Sequence, residues 1–235
     1  MKRISTLVFS LFILLGASSH AQNIQFNYDF GRDMYSKDLP ARPRVFTTVE
    51  HFNMDKWGSN YFFVDMTYSK DGISSAYWEI SREFSLGKSP LSLHLEYDGG
   101  LSNKYSYNDA YLGGLTYGWN STKGNFGFTV TPMYKYIRGI DNPNTFQLTG
   151  TWRYSFANDK LLFSGFADWW YQDQWFYGNW IFISEPQLWL NLNRLKGFSP
   201  DFNLSVGTEW KFYYNFVDEG MKWIPTLALK WTFGK

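Results

Sequence analysis

Charged and aromatic residues that could bind a solute recur at alternate positions of predicted β-strands. Ser92, His94 and Glu96 show the pattern, since one apolar residue separates each from the next. Successive side chains of a strand point to opposite faces, so residues two apart share a face. Applied along the chain, this rule predicts an inward face that carries Asp65, Tyr77, Glu79, His94, Glu96, Lys135, Arg153, Phe166, Asp168, Trp170, Glu185, Glu209 and Lys211.

Two interpretations of this inward face stay open. In the first, rings such as Tyr77, Phe166 and Trp170 stack on a solute while carboxylates and amides bond its polar edges. In the second, the charges pair with one another and fill the interior as a polar core, because buried charges must be paired. The first interpretation predicts a solute-binding lumen, and the second predicts a plugged one.

The residues offer little support for catalytic or metal-binding chemistry. Ser92, His94 and Glu96 include the residue types of a hydrolytic triad, but neighbours two apart on a strand lie about 7 Å apart, too far for a direct bond between nucleophile and base. The chain has no cysteine, and past its N-terminal segment its histidines are His51 and His94, which leaves only oxygen ligands for a metal. We therefore predict no enzymatic activity, no catalytic residue, no metal and no cofactor.

The N-terminus indicates export from the cytoplasm. A basic start precedes an apolar run over residues 4–15, and Ser19, His20 and Ala21 fit a small-x-small cleavage site. The run is shorter than the roughly 20 apolar residues that a spanning helix needs. We expect residues 1–21 to be a cleaved signal peptide and residues 22–235 to form one domain.

Aromatic residues make up 22% of the chain, although its mean hydropathy is −0.36. A soluble protein would have to bury most of these rings, whereas a membrane barrel can place them against lipid and at both interfaces. No segment past the signal peptide is long and apolar enough for a spanning helix, so a membrane form would be a closed sheet. Without Lys2 and Arg3, 22 − 2 = 20 basic residues oppose 21 acidic ones, and this near-neutral charge predicts no nucleic-acid partner.

Alternating polarity divides the mature chain into about twelve predicted strands. The last, residues 221–233, has one wholly apolar face, formed by Trp223, Pro225, Leu227, Leu229, Trp231 and Phe233. Such a strand, ending on an aromatic residue, is typical of an outer-membrane barrel. A soluble barrel resembling a lipocalin would also alternate, but outward rows this rich in rings favour lipid contact. The predicted fold is all-β, a transmembrane antiparallel up-and-down β-barrel of about 12 strands in a Gram-negative outer membrane.

The connections between strands predict which end of the barrel faces outward. With a periplasmic N-terminus, the odd connections are extracellular and the even ones are mostly short turns. The predicted extracellular connections are residues 31–43, 69–72, 98–108, 138–144, 172–179 and 215–222. Gly99 and Gly100 are predicted to begin the third of them. Tryptophans near segment ends predict an interfacial girdle of Trp57, Trp119, Trp180, Trp210, Trp223 and Trp231.

Six runs of residues carry a family resemblance. They are EHFNMDKWG at residues 50–58, SAYWEI at 75–80, HLEYDGG at 94–100, FSGFAD at 163–168, SEPQ at 184–187 and IPTLALKW at 224–231. The chain resembles a family of uncharacterised Gram-negative outer-membrane proteins that is grouped with the Tsx-like nucleoside-specific channels. The resemblance covers nearly the whole mature chain and implies a twelve-stranded barrel and passage of nucleosides. We match no nucleoside-contacting residue of the true Tsx channels to a position here.

The function predicted from these observations is an outer-membrane channel for passive passage of small polar solutes, with nucleosides implied by the resemblance. The alternative is a closed structural or surface-interaction barrel with a plugged lumen and no transport. The expected partners are outer-membrane lipid and a small polar solute, and we expect a monomer.

Overall fold

The computed structural model describes residues 21–174 and 177–233. These residues form a sheet of thirteen strand segments, with a short helix, α1 (Gly31–Met34), after the first strand. The predicted signal peptide lies outside the described residues except for Ala21, which begins the first strand. The strand segments are β1 (Ala21–Asp29), β2 (Val45–Asp55), β3 (Gly58–Ser69), β4 (Gly72–Ser85), β5 (Leu91–Ser102), β6 (Ala110–Asn120), β7 (Phe126–Ile137), β8 (Asn144–Phe156), β9 (Leu161–Tyr171), β10 (Trp180–Ser184), β11 (Gln187–Asn191), β12 (Leu204–Tyr214) and β13 (Met221–Phe233).

The sheet closes into a barrel of twelve strand positions. Each strand pairs antiparallel with its neighbour, and β1 closes the sheet by pairing with β13. Segments β10 and β11 occupy one position, because both pair with β9 on one side and β12 on the other. Pro186 lies between them and lacks a backbone N–H for the ladder, so the strand is interrupted there. The predicted antiparallel β-barrel of about 12 strands is confirmed.

The outer surface of the barrel is apolar and exposed. On β5, Leu91, Leu93 and Leu95 are 39–47% exposed, whereas His94 between them is 7% exposed. A continuous exposed apolar surface on a closed sheet is the surface that meets lipid in an outer-membrane barrel. The prediction of an outer-membrane location is confirmed. Among the described residues, no helix is long and apolar enough to cross a membrane.

Aromatic rings cluster near the ends of the outward faces. Trp169 and Trp180 stack with their centroids 4.7 Å apart, and Trp210 meets Trp223 edge to face at 5.9 Å. The predicted girdle residues are all exposed on the described surface: Trp57, Trp119, Trp180, Trp210, Trp223 and Trp231. Exposed amphipathic rings at strand ends are placed to contact lipid headgroups.

The first connection, which is predicted to be extracellular, folds inward over the barrel mouth. Its Leu39 is buried against Tyr213 and Ile224, both on the inward face. Three residues further on, Arg42 holds the connection to the barrel, donating to both carboxylate oxygens of Asp29 at 2.7–3.1 Å. Asp29 is only 2% exposed, so this ion pair fixes the loop to the end of β1.

A second ion pair in the same loop is exposed and offers a comparison. Arg44 donates to Asp33 at 2.6 and 2.9 Å, and Tyr28 donates to the same carboxylate at 2.9 Å. These bonds hold the pKa of the Asp33 carboxyl below its usual value. Because both partners are solvated, the pair contributes little to the stability of the barrel.

We predict that Arg42→Met lowers the free energy of unfolding by about 3 kcal/mol, because it leaves the buried Asp29 carboxylate without its cation. Arg44→Met removes the exposed pair and serves as the matched control, with no measurable loss expected. The measurement is urea unfolding of the refolded protein in lipid vesicles. Equal losses in the two variants would contradict the anchoring role of Arg42.

Candidate functional site

The predicted inward-facing residues lie at different depths along the barrel. Most of them surround one cavity of about 700 Å³ near the predicted extracellular end, namely Asp65, Tyr77, Glu79, Lys135, Phe166, Asp168, Trp170, Glu185 and Lys211. His94, Glu96 and Glu209 lie on the inward face outside the lining of this cavity. Arg153 shares the inward parity but is exposed near the predicted periplasmic end of β8. Strand parity thus groups these residues, while it does not predict the depth of each one.

Lys211 is the centre of a charged cluster on the cavity wall. Its Nζ lies 2.7 Å from Glu209 Oε1 and 3.2 Å from Glu185 Oε1. Tyr213 donates to the same oxygen of Glu185 at 2.5 Å, and Gln187 donates to Glu209 Oε2 at 2.7 Å. The ammonium also lies 4.4 Å from the centre of the Phe46 ring. One lysine thus compensates two carboxylates on adjacent strand positions.

Lys135 forms a second cluster across the cavity. Its Nζ donates to Gln147 at 2.6 Å, lies 3.9 Å from Asp98 Oδ2 and sits 4.8 Å from the centre of the Trp170 ring. Asp168 lies two strands away, on β9, and accepts from Thr149 of β8 at 2.5 Å. The lysine is thus held by an amide, a distant carboxylate and an aromatic face.

His94 lies in a network of acids and not in a hydrolytic triad. Its Nδ1 is 2.6 Å from Glu83 Oε1 and its Nε2 is 3.2 Å from Glu96 Oε2. Ser92 donates to Glu83 and makes no bond to His94. Because both ring nitrogens contact carboxylates, neither is free to take a proton from Ser92.

The inward face carries more acids than bases among the described residues. Registers place the acids on β1 to β5, β9 and β12, with Glu185 at the break between β10 and β11. The acids are Asp29, Glu50, Asp65, Glu79, Glu83, Glu96, Asp98, Asp168, Glu185 and Glu209, and the bases are Arg42, His94, Lys135, Arg153, Lys211, Lys222 and Lys230. A lumen with this excess attracts cations and repels anions.

The structure also shows that Asp98 belongs to the inward face, which the sequence analysis missed. Gly99 and Gly100 were expected to begin a loop, and this was wrong, because β5 continues to Ser102. A Cβ at Gly100 would lie 2.3 Å from the Tyr107 ring, so the glycine lets the loop residue pack on the strand. The sequence signal that could have identified Asp98 is its position two residues after Glu96, which gives the two residues the same parity.

The periplasmic half of the lumen is narrowed by Trp189, a second inward-facing residue that the sequence analysis did not single out. Trp189 is 0% exposed and donates to Gln187 at 2.9 Å. Its ring packs on Gly207, where a Cβ would lie 2.5 Å from it. Lys230 Nζ lies 3.9 Å from the ring centre. The parity that Trp189 shares with Gln187 and Asn191 was the sequence signal that could have identified it as inward-facing.

Comparison with known proteins gives a family of unknown function and solved structures that share the barrel fold. The sequence model of a family described as a domain of unknown function, DUF5020, matches residues 21–233. Among solved structures, the chain is similar to the KdgM porin, with a TM-score of 0.54 and 11% identity over 91% of this chain and 99% of that chain. It is also similar to the NanC porin, with a TM-score of 0.58 and 13% identity over 91% and 100% of the two chains.

A further structure, the KdgM porin in complex with disordered oligogalacturonate, matches with a TM-score of 0.53 and 11% identity over 91% of this chain and 99% of that chain. At these identities the likeness concerns the fold. A search of curated proteins found no match.

We predict that Lys211→Met lowers the free energy of unfolding by about 3–5 kcal/mol, because it leaves Glu185 and Glu209 without their shared cation. The double variant Lys211→Met/Glu209→Gln should recover part of the loss, since one of the two carboxylates is then neutral. Urea unfolding in lipid vesicles measures both, with Lys104→Met as an exposed-lysine control. A double variant less stable than the single one would contradict this account of the cluster.

Proposed function

The chain belongs to the DUF5020 family, a family of unknown function, and we propose that this member is an outer-membrane channel for passive passage of small polar solutes. One observation carries the proposal: a cavity of about 700 Å³, lined by both charged and aromatic side chains, lies inside the closed barrel and is bordered by the loops predicted to be extracellular. A cavity of this size holds a solute of drug-like dimensions. Passage would be passive, since a pore must bind its solute loosely enough to release it.

The charge of the lumen supports a preference for cationic and neutral solutes. Asp65, Glu79 and Asp168 line the cavity, and Lys135 and Lys211 are already occupied by protein groups. Low-dielectric walls strengthen the field of uncompensated carboxylates in such a space. A polyanion such as the oligogalacturonate named with the KdgM porin would be repelled here, so we propose a different solute class for this chain.

Nucleosides, which the Tsx resemblance implies, are one finer form of this proposal. They are neutral, their bases can stack on rings, and their ribose hydroxyls can donate to carboxylates. Tyr77, Phe166 and Trp170 border the same cavity as Asp65 and Asp168, which is the combination such a solute would use. Neither the family description nor the porin structures point to nucleosides, so the proposal rests on these residues and the resemblance.

A closed structural barrel is the second candidate, and Trp189 is the observation that favours it. Its fully buried ring, with Lys230 against it, occupies the periplasmic half of the lumen. If this pair does not move, solutes that enter the cavity cannot leave on the other side. The extracellular loops would then carry the function by contacting a partner.

We expect the refolded protein in a planar bilayer to conduct with a permeability ratio that favours potassium over chloride, because the lumen carboxylates attract cations. Asp65→Asn/Asp168→Asn should lower that ratio at least about twofold. Asp33→Asn removes a loop carboxylate outside the lumen and is the matched control. Added adenosine tests the finer proposal by blocking the current. A preference for chloride would contradict the proposed solute class. A current that adenosine does not block would contradict the proposal of nucleosides as the solute.

Trp189→Ala separates the two candidate functions. For a channel, the wild type conducts and the variant conducts several times more, because the buried Trp189 ring no longer occupies the lumen. For a closed barrel, the folded wild type is silent and only the variant conducts. Single-channel recording on protein shown to be folded by heat-modifiable migration distinguishes these outcomes, with the lipid-facing Trp210→Ala as control.

A further inference from the structure

Three carboxylates meet on the inward face of β4 and β5. Glu79 and Asp98 are directly opposite each other in the strand register, and Glu96 lies two residues before Asp98 on the same face. One oxygen from each of the three lies within 4.8 Å of the others. Like charges directly opposite in a sheet destabilise it, so this arrangement needs a compensating cation.

A separate observation indicates that the compensation is incomplete. Asp98 is 5% exposed, and its Oδ1 has no hydrogen-bond partner among the described residues. A buried carboxylate oxygen without a partner is costly and calls for an explanation, such as an ion. Glu79 and Asp98 both line the outer cavity, so an ion could reach the site from the extracellular end.

Neighbouring groups hold one oxygen of Glu79 and one of Glu96, and a lysine lies near one oxygen of Asp98. Tyr77 donates to Glu79 Oε1 at 2.8 Å, and His94 Nε2 lies 3.2 Å from Glu96 Oε2. Lys135 Nζ is 3.9 Å from Asp98 Oδ2, a weak contact. Such contacts orient carboxylates and leave their remaining oxygens for a ligand, as outer contacts do around metal ions.

The protein's own bases do not balance this region. His94 is shared between Glu96 and Glu83, which is a fourth carboxylate, and Lys135 is the remaining base. Lys211 is occupied by Glu185 and Glu209 elsewhere on the wall. A bound divalent cation would supply the missing charge.

We propose that Glu79, Glu96 and Asp98 bind a calcium ion in the lumen wall. The donor set is all oxygen, which suits calcium or magnesium better than softer metals. Oxygens on opposite sides of a calcium ion are about 4.6–5.2 Å apart, and on opposite sides of magnesium about 4.0–4.2 Å. The three oxygens lie within 4.8 Å of one another, close enough for one ion to contact them all. Calcium tolerates irregular coordination by carboxylates fixed on two strands, whereas magnesium demands near-ideal octahedral geometry, so calcium is the better fit, with water completing its coordination. The site goes beyond the proposed channel function, because binding requires no passage through the barrel.

The test is terbium luminescence of the folded protein in detergent micelles, with calcium as competitor. Terbium replaces calcium in oxygen sites, and rings such as Tyr77 next to the site sensitise its emission. The expected result is a saturable signal that calcium displaces with a dissociation constant of about 10⁻⁴–10⁻³ M, and that magnesium displaces less well. Glu79→Gln and Asp98→Asn should each weaken calcium binding at least about tenfold.

Asp33→Asn is the matched control, because Asp33 is an exposed loop carboxylate outside both the lumen and the cluster. It should bind calcium as the wild type does. Heat-modifiable migration verifies that each variant is folded, and if one of the two cluster variants does not fold, the binding measured with the other tests the proposal. The proposal is overturned if wild type shows no calcium-displaceable signal, if both cluster variants bind like wild type, if Asp33→Asn loses binding equally, or if spermidine displaces terbium and calcium does not.

The result is independent of conduction. If the protein binds calcium but does not conduct in the bilayer, the calcium site is supported and the channel proposal is contradicted. If it conducts but binds no calcium, only the calcium-site proposal is contradicted.

Discussion

A chain in lipid must satisfy its own backbone hydrogen bonds, and this chain does so at its ends by pairing β1 with β13. The register runs from Gln22 opposite Phe233 to Asp29 opposite Thr226, so neither strand is left as an open edge. Closure gives every strand one face toward lipid and one toward a confined interior. Leu227 and Leu229 of β13 are consequently exposed, whereas Lys230 of β13 and its partner Gln25 of β1 are buried. The apolar surface and the polar lumen are two results of one pairing.

The confined interior explains why the charges are arranged in clusters. A carboxylate on the inward face has little access to bulk water, so it must find a donor on a neighbouring strand or across the lumen. Thr48 and Thr149 supply short bonds to Asp65 and Asp168, and Lys211 serves two glutamates. These contacts agree with the interpretation of the inward face as a polar core. Asp65, Asp168 and Lys211 also line the cavity, which agrees with the interpretation as a binding lumen, so paired charges and space for a solute occur together in this part of the barrel.

Strand alternation predicted the fold and the inward-facing set because both depend only on which residues share a parity. Depth along the barrel depends on strand stagger, which parity does not contain, and so Arg153 was grouped with residues far from it. Asp98 was missed because Gly99 and Gly100 resemble a turn, while the structure uses Gly100 to admit the Tyr107 ring. The inward fold of the first connection depends on the contact of Leu39 with Tyr213 and Ile224, which are distant in sequence. Long-range contacts of this kind leave no local pattern.

Lys135, Lys211 and Lys230 differ in how firmly they are held, and this bears on where the barrel can open. Lys211 contacts two carboxylates and Lys135 contacts an amide and a carboxylate. Lys230 packs on the Trp189 ring and feels the charge of Glu50, and among the described residues no hydrogen bond or ion pair holds it. Displacing Lys230 therefore breaks the fewest favourable contacts. Trp189 itself is held by Gln187 and by the close approach of Gly207. The acidic cavity can concentrate a cationic solute, but the positive charge of Lys230 opposes that solute further down the lumen. Capture and passage are thus governed by different residues. A neutral solute meets a smaller electrostatic barrier at Lys230 than a cationic solute does.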